Sequence, residues 1–107
     1  MALTAPFMLV AASMLLAMTQ VATAAGTGVT VTIDNFTFSP ADLTIVPGTT
    51  VTWVNNDDIP HTVVCAGKFR SKTMDTDGSF SFTFTDPGEY KYFCSLHPHM
   101  TGSVKVG

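Results

Sequence analysis

Apolar and polar residues alternate with a period of two along most of residues 29–106, and turn-forming residues interrupt the alternation at short intervals. The clearest runs are VTVTI at 29–33, SFSFTF at 79–84 and EYKYFC at 89–94. Such alternation is typical of strands that bury one face, and Gly, Pro, Asn and Asp between short runs are typical of the turns that join them. The pattern therefore predicts an all-β fold, a sandwich or a barrel of about seven strands.

The polar stretch GKFRSKTMDTDG at 67–78 predicts a loop between two of these strands. Four further runs complete the predicted set of strands, namely LTIV at 43–46, VTWVN at 51–55, HTVVCA at 61–66 and GSVKV at 102–106. Aromatic side chains at alternate positions of a strand are typical of core packing and need no ligand to explain them. We therefore expect the core to contain Trp53, Phe80, Phe82 and Phe84.

Residues 1–24 differ in composition from the rest of the chain. They hold a run rich in Leu, Ala and Met that ends in ATA, and the first charged side chain is that of Asp34. Small residues in this arrangement are what a signal peptidase reads, so we predict a secretory signal peptide cleaved after Ala24. A membrane anchor is the alternative, but polar side chains within the run disfavour it. The prediction implies a domain at residues 25–107, exported to the periplasm without stable membrane insertion.

Charge and cysteine content narrow the class of the exported domain. The formal net charge is −3 at pH 7, which argues against nucleic acid as a partner. A domain of this size buries only a modest core, so a bound metal or a disulfide would be a useful supplement. The chain has 2 cysteines, which in an oxidising compartment would by default be paired.

The segment KYFCSLHPHM at 91–100 concentrates sulfur and imidazole groups at the end of a predicted strand. Cys94, His97 and Met100 are separated by two residues each, so one tight turn, stiffened by the intervening proline, could bring the three side chains to one point. A fourth group would come from elsewhere, and His61 is the histidine outside this segment. In a β-sandwich the start of one strand and the end of another can meet at the same end of the molecule.

The softness of these four groups indicates which metal they would select. One thiolate, two imidazoles and a thioether describe a trigonal copper site with a weak axial methionine. Zinc would favour further cysteines, a carboxylate or an open water position. The Cys-x-x-Cys pairs of haem attachment and of dithiol redox sites do not occur in the chain. Nucleophilic catalysis by Cys94 with a histidine base is conceivable, but it leaves Met100 without a purpose.

The same motifs carry a resemblance to a known family. HTVV at 61–64 followed by YFCSLHPHM at 92–100 is similar to the cupredoxins, the type 1 blue copper proteins, and most similar to amicyanin and plastocyanin-like bacterial members. The stretches VPGTTVTWVNND and FTFTDPGEY extend this resemblance over most of residues 29–106.

The resemblance implies a Greek-key β-sandwich of about seven to eight strands. It implies one copper ion near one end, bound by His61, Cys94 and His97 with Met100 as the axial ligand. The implied function is not that of an enzyme but of a monomeric carrier that shuttles single electrons between Cu(I) and Cu(II) for a transient redox protein partner. Storage or delivery of copper through the same ligands is the alternative function.

Two residues beside the implied ligands raise questions. A longer spacing between the cysteine and the second histidine would select His99 in place of His97, but Met100 would then be its neighbour and could hardly reach the axial position. Thr62 stands where amicyanin and plastocyanin have an asparagine after the first ligand histidine. Its hydroxyl could substitute in part, so we expect altered surroundings of the thiolate.

The second cysteine leaves a further alternative open. Cys65 has the same parity along its predicted strand as His61, which predicts an inward side chain that acts as a small apolar residue. A Cys65–Cys94 disulfide is the alternative, and it would consume the thiolate that copper needs. That disulfide would leave the histidines and the methionine unexplained.

Overall fold

The computed structural model describes residues 27–107, so the predicted signal peptide lies outside the described residues. This part of the chain forms β-strands and no α-helix. In chain order the strands are β1 (Gly28–Asp34), β2 (Thr37–Ser39), β3 (Asp42–Ile45), β4 (Thr49–Asn55), β5 (Val64–Cys65), β6 (Phe69–Arg70), β7 (Ser79–Phe84), β8 (Gly88–Cys94) and β9 (His97–Val106). Among the described residues there is accordingly no helix with the length and hydropathy needed to cross a membrane.

The strands form two sheets in which neighbours in space are often distant in sequence. The four-stranded sheet has the order β2-β1-β4-β7, and the five-stranded sheet has the order β3-β9-β8-β5-β6. Two of the pairings, β1 with β4 and β3 with β9, are parallel, and the others are antiparallel. The predicted all-β sandwich is therefore confirmed, although residues 27–107 contain nine strands rather than seven to eight.

The differences in strand count lie in short elements. The sequence pattern did not predict β2 or β6, and β6 lies within the stretch that was predicted to be a loop. The predicted strand at 61–66 was too long, because only Val64–Cys65 joins a ladder. Before β5, the Thr62 N–H points to the Cys94 sulfur and the Val63 N–H donates to the Ser71 hydroxyl, so these amides are not available to a neighbouring strand.

The core lies between the sheets and is rich in aromatic side chains. Trp53 and Phe84 are fully or almost fully buried, as predicted, and their rings pack near that of Phe69. Phe80 and Phe82 are only partly buried, although they pack against the same cluster. Both lie on β7, which is the edge strand of its sheet, so one side of each ring has no neighbouring strand to cover it.

Candidate metal centre

Three side chains of ligand type meet at one end of the sandwich. The Cys94 sulfur lies 3.7 Å from His61 Nδ1 and 3.6 Å from His97 Nδ1, and one potential ligand atom from each residue falls within 4.8 Å of the others. These distances are short enough for a single ion to contact all three atoms after small adjustments. Folding thus brings His61 close to Cys94, although 33 residues separate them in the sequence.

The β8–β9 hairpin places two members of this group. Cys94 is the last residue of β8, His97 is the first residue of β9, and the two are paired across the ladder. Only Ser95 and Leu96 separate the strands, and an irregularity in register falls between Phe93 and Cys94. The tight turn expected after Cys94 is therefore present, and it continues directly into a ten-residue strand rather than into a longer loop.

His61 reaches the same point from the connection between β4 and β5. It forms an isolated antiparallel bridge with Met74, in which each backbone N–H donates to the other carbonyl, at 3.1 and 2.8 Å. The stretch that contains Met74 was predicted only as a polar loop, yet it supplies the backbone that holds His61. The His61 side chain is fully buried, as is that of Cys94, whereas His97 is half-buried and gives the group its contact with solvent.

The surroundings of Cys94 favour the thiolate. Burial raises the pKa of its thiol, but hydrogen bonds, first among them that from the Thr62 N–H, outweigh burial and lower the pKa of Cys94 from 9.0 to about 6. The Thr62 N–H lies 3.3 Å from the sulfur. Because the thiolate is the form that binds metals, this environment prepares the sulfur for that role.

Thr62 also fixes the hairpin turn through its hydroxyl. The Thr62 Oγ1 atom accepts a hydrogen bond from the Ser95 N–H at 2.8 Å and lies 2.8 Å from the Ser95 hydroxyl. The same oxygen is 3.8 Å from the Cys94 sulfur, which permits only a weak contact. The hydroxyl therefore links Thr62 to the hairpin turn that follows Cys94.

Asp57 adjoins the candidate ligands and was not predicted from the sequence. Its Oδ2 atom lies 2.7 Å from His61 Nε2, on the side of the ring away from Cys94. The Phe36 N–H, the His61 side chain and the Asn35 N–H hold the pKa of Asp57 below its ordinary value of 3.8, although burial opposes them. The available signal was a carboxylate four residues before His61 in the polar run NNDDIPH, which on its own also fits an ordinary turn.

The Phe36 ring is a second unpredicted neighbour of the site. Its centroid lies 4.9 Å from that of His97 and 5.5 Å from that of His61, in both cases edge to face. Phe36 is 44% exposed and Leu96 is 50% exposed, so apolar surface adjoins the half-buried histidine.

The remaining candidates take different places. Met100 is 5% exposed and belongs to the hydrophobic core cluster, three residues after His97 on β9. His99 is exposed and is not a member of the three-residue group. Cys65 and Cys94 are both free thiols, so the alternative disulfide is not formed in this structure. Burial raises the pKa of the Cys65 thiol, which agrees with its prediction as an inward-facing residue.

The donor set of this centre fits copper. One sulfur that favours the thiolate and two imidazole nitrogens are the three strong donor types of a trigonal copper site, and the thioether of buried Met100, three residues after His97, is of the type that serves as a weak fourth. The Asp57 carboxylate adjoins the His61 Nε2 atom rather than the sulfur, so the oxygen donor that magnesium would favour is not among the three grouped atoms.

Known protein sequences that are similar to this chain include amicyanins and plastocyanins. Amicyanin of Paracoccus versutus is 38% identical over 84 residues, which cover 73% of this chain and 64% of that protein. Plastocyanin of Scenedesmus fuscus is 34% identical over 83 residues, which cover 64% of this chain and 85% of that protein. The chain spans 64% of the length of the amicyanins from two Paracoccus species.

Solved structures and a family model agree with these relatives. A purple cupredoxin from Nitrosopumilus maritimus matches with a TM-score of 0.70 and 34% identity, over 73% of this chain and 98% of that one. The Cu(I) form of an amicyanin variant matches with a TM-score of 0.72 and 32% identity, over 82% of this chain and 87% of that one. The family model for the cupredoxin-like domain matches residues 6–106. The chain therefore belongs to the cupredoxin-like family.

Proposed function

We propose that this protein is an exported carrier of single electrons that holds one copper ion through His61, Cys94 and His97, with Met100 as a weak axial ligand. The observation that carries the proposal is the position of the Cys94 sulfur between two imidazole Nδ1 atoms, at 3.7 Å from His61 and 3.6 Å from His97. Bound copper supplies one-electron chemistry between Cu(I) and Cu(II), and thiolate with imidazole suits both states.

The protein's own part in this function is to hold the donors still. His61 is fixed by the bridge to Met74 and by the Asp57 carboxylate, and the paired strands of the hairpin fix Cys94 and His97. Donors held by these contacts cannot rearrange far when the charge at the site changes, which favours fast electron exchange. The complete burial of His61 and Cys94 also favours a carrier over a delivery protein, because an acceptor for the metal would have to reach these donors.

The half-buried His97 offers the shortest way for an electron to enter or leave. The apolar surface beside it includes exposed Phe36, whose ring packs against that of His97, and the exposed chain neighbours Leu96 and Pro98. A small apolar surface of this kind suits a brief encounter with another redox protein, in which rapid release matters more than affinity. We therefore propose a transient redox protein as the partner of a monomeric carrier that is not itself an enzyme.

The location of the carrier is part of the proposal. The charge-free segment before Asp34 and its ATA sequence support cleavage after Ala24, which would release residues 25–107 as the periplasmic domain. N-terminal sequencing of the protein recovered from the periplasm tests this point. A mature chain that begins at Ala25 is expected, and an intact Met1 terminus in the membrane fraction would contradict the cleavage.

The visible absorption and electron paramagnetic resonance spectra of residues 25–107 test the proposed centre. We expect one equivalent of Cu(II) to give intense blue absorption and a narrow copper hyperfine splitting, because both arise from a copper–thiolate bond. Cys94→Ser should lose both features, and Cys65→Ser, the matched control, should keep them. Blue absorption retained in Cys94→Ser would contradict the ligand assignment. Ready transfer of copper to an apo acceptor, with slow electron self-exchange, would favour delivery over carriage.

A further inference from the structure

The Asp57 carboxylate joins the candidate metal centre to the turn between β1 and β2. Its Oδ2 atom lies 2.7 Å from His61 Nε2 and accepts a hydrogen bond from the Phe36 N–H at 3.0 Å, while Oδ1 accepts one from the Asn35 N–H at 2.7 Å. The Asp57 N–H donates to Asn55 Oδ1 at 2.9 Å, which anchors the carboxylate from its own backbone. One buried side chain therefore contacts a ligand histidine and the backbone of a separate hairpin.

The contact with His61 determines which ring nitrogen faces Cys94. A carboxylate can only accept hydrogen bonds, so Nε2 of His61 must carry the proton in this contact. A neutral imidazole has a single proton, and its other nitrogen, Nδ1, then presents a lone pair. Because Nδ1 is the atom 3.7 Å from the Cys94 sulfur, the carboxylate selects the tautomer that can bind a metal there.

The contact with the turn holds an unfavourable backbone conformation. Asn35 and Phe36 both have positive φ, at 51° and 58°, and this region is uncommon for a bulky residue such as phenylalanine. The two N–H groups of the turn converge on the carboxylate, and these charge-assisted bonds offset the cost of the conformation. With its backbone held in this way, the Phe36 ring lies edge-on to both His61 and His97.

From these contacts we infer that Asp57 is a positioning residue that sets two features of the centre at once. It orients His61 with Nδ1 towards Cys94, and it holds the Phe36 ring over the two ligand histidines. This inference rests on the proposed function for its relevance to copper, but the hydrogen bonds themselves belong to the protein without metal. The residue acts through its neighbours and does not contact the electron-transferring group.

Asp57→Asn, compared with a control that loses the same charge, distinguishes the hydrogen bonds of the carboxylate from its charge. An amide has only one oxygen, so it cannot accept all three of the hydrogen bonds that the carboxylate accepts. Either its NH2 group faces His61 Nε2, which favours the wrong tautomer, or it faces an N–H of the turn and repels it. The matched control is Asp58→Asn, which removes the same charge at the exposed neighbouring residue.

The first measurement uses the protein without metal. Nitrogen-15 NMR of the His61 ring near pH 8 should show a proton on Nε2 in the wild type and in Asp58→Asn, with slow exchange because the ring is buried. In Asp57→Asn that proton should exchange rapidly or move to Nδ1, and the Asn35 or Phe36 amide should lose its exchange protection. A wild-type His61 with its proton on Nδ1 would overturn the inference, and this result does not require any variant to fold.

The second measurement uses the copper-loaded protein. We expect Asp57→Asn to bind copper about 10–100-fold more weakly than Asp58→Asn, as is typical when the outer partner of a ligand histidine is lost. Its reduction potential should rise above that of Asp58→Asn, because a carboxylate bonded to the ligand stabilises the more highly charged Cu(II). Equal affinities and equal potentials for the two variants would overturn the inference. If the wild type shows no blue copper site, the proposed function fails while the metal-free NMR still decides the role of Asp57.

Discussion

Single side chains near the core show how a local environment determines a property that the sequence does not display. Tyr92 is 2% exposed. Its hydroxyl and the Trp53 indole N–H are both buried without a hydrogen-bond partner among residues 27–107. Burial raises the pKa of Tyr92 from 10.0 to about 12, and the nearby Trp53 opposes this shift only in part. By contrast, the Tyr90 hydroxyl donates to the Asp86 carbonyl at 2.7 Å.

These two tyrosines predict opposite results for the same substitution. Tyr92→Phe removes a buried hydroxyl without a partner, so the free energy of unfolding at neutral pH should stay equal or increase. Tyr90→Phe removes a formed hydrogen bond and should lower that free energy by about 1 kcal/mol. Urea unfolding of the two variants at pH 7 measures both effects. A loss of stability in Tyr92→Phe that exceeds the loss in Tyr90→Phe would contradict the assignment of their partners.

The pH dependence of the same variants follows from linkage. The folded-state pKa of Tyr92 is about 12 and the ordinary value is 10.0, so over this interval the unfolded chain releases a proton that the folded chain keeps. The wild type should therefore lose stability as the pH rises from 10 towards 12, whereas below pH 10 this residue causes no loss. Tyr92→Phe should show a flatter stability profile over the same interval in unfolding titrations.

At the scale of elements, the β8–β9 hairpin is the unit that builds the candidate centre. Ser95 and Leu96 form its turn, and the Cys94–His97 pair closes it. The sequence predicted a tight turn after Cys94 correctly, because the spacing of the ligand-type residues is a local signal, but the prediction that Pro98 stiffens this turn was wrong, since Pro98 lies in β9. It did not predict that His97 would begin a long strand, because the pairing with β8 and with β3 depends on residues far along the chain.

An insertion in this turn tests the importance of its length. One glycine inserted between Ser95 and Leu96 should disrupt the Cys94–His97 pair, because side chains of a strand change face with each residue. We expect loss of the blue absorption with the β-rich circular dichroism retained. The matched control is one glycine inserted after Gly67 in the exposed β5–β6 turn, which should keep the colour. An unchanged blue spectrum in the first variant would show that the register of the hairpin does not place the ligands.

Short elements mark the limit of prediction at this scale. Both β5 and β6 contain only two residues, and the amides just before β5 bond to a side-chain hydroxyl and a sulfur instead of a strand. No alternation can be detected in so few residues. The long strands β1, β4, β7 and β8, each of six or seven residues, carry a repeated pattern and were predicted close to their positions.

At the scale of the whole molecule, the candidate centre lies where the chain passes from one sheet to the other. His61 follows β4 of the four-stranded sheet, whereas Cys94 and His97 belong to the five-stranded sheet. An ion bound by all three would therefore tie the β4–β5 connection to the β8–β9 hairpin in a small domain whose core is modest. Binding to the folded state alone raises the free energy of unfolding through mass action.

Removal of copper should consequently lower the stability of the whole domain. With free copper at about 100 times its dissociation constant, the metal should contribute about 2.7 kcal/mol to the free energy of unfolding. Thermal unfolding of the Cu(I) form with and without a chelator measures this contribution, and a higher Tm is expected for the loaded protein. Cys94→Ser should show a much smaller difference. Equal Tm values for the wild type in both conditions would contradict copper binding to the folded domain.

The sequence by itself determined the class of fold and the set of candidate ligands. Alternation with a period of two, turn residues between short runs, and the spacing of Cys94, His97 and Met100 are local patterns that need no knowledge of tertiary contacts. The choice of copper followed from the softness of the donor atoms. These features could be predicted because each depends on residues that are close in the chain or on side-chain chemistry alone.

Only the tertiary structure decided how the candidate centre is supported. Asp57 contacts the amides of Asn35 and Phe36 across 22 and 21 residues of sequence, and Thr62 contacts the Cys94 sulfur across 32. The alternation of apolar and polar residues in a strand does not specify these contacts, because they form only when separate turns meet at one end of the sandwich. The candidate ligands can be recognised in the local sequence, whereas the orientation and protonation of their side chains depend on contacts that exist only after folding.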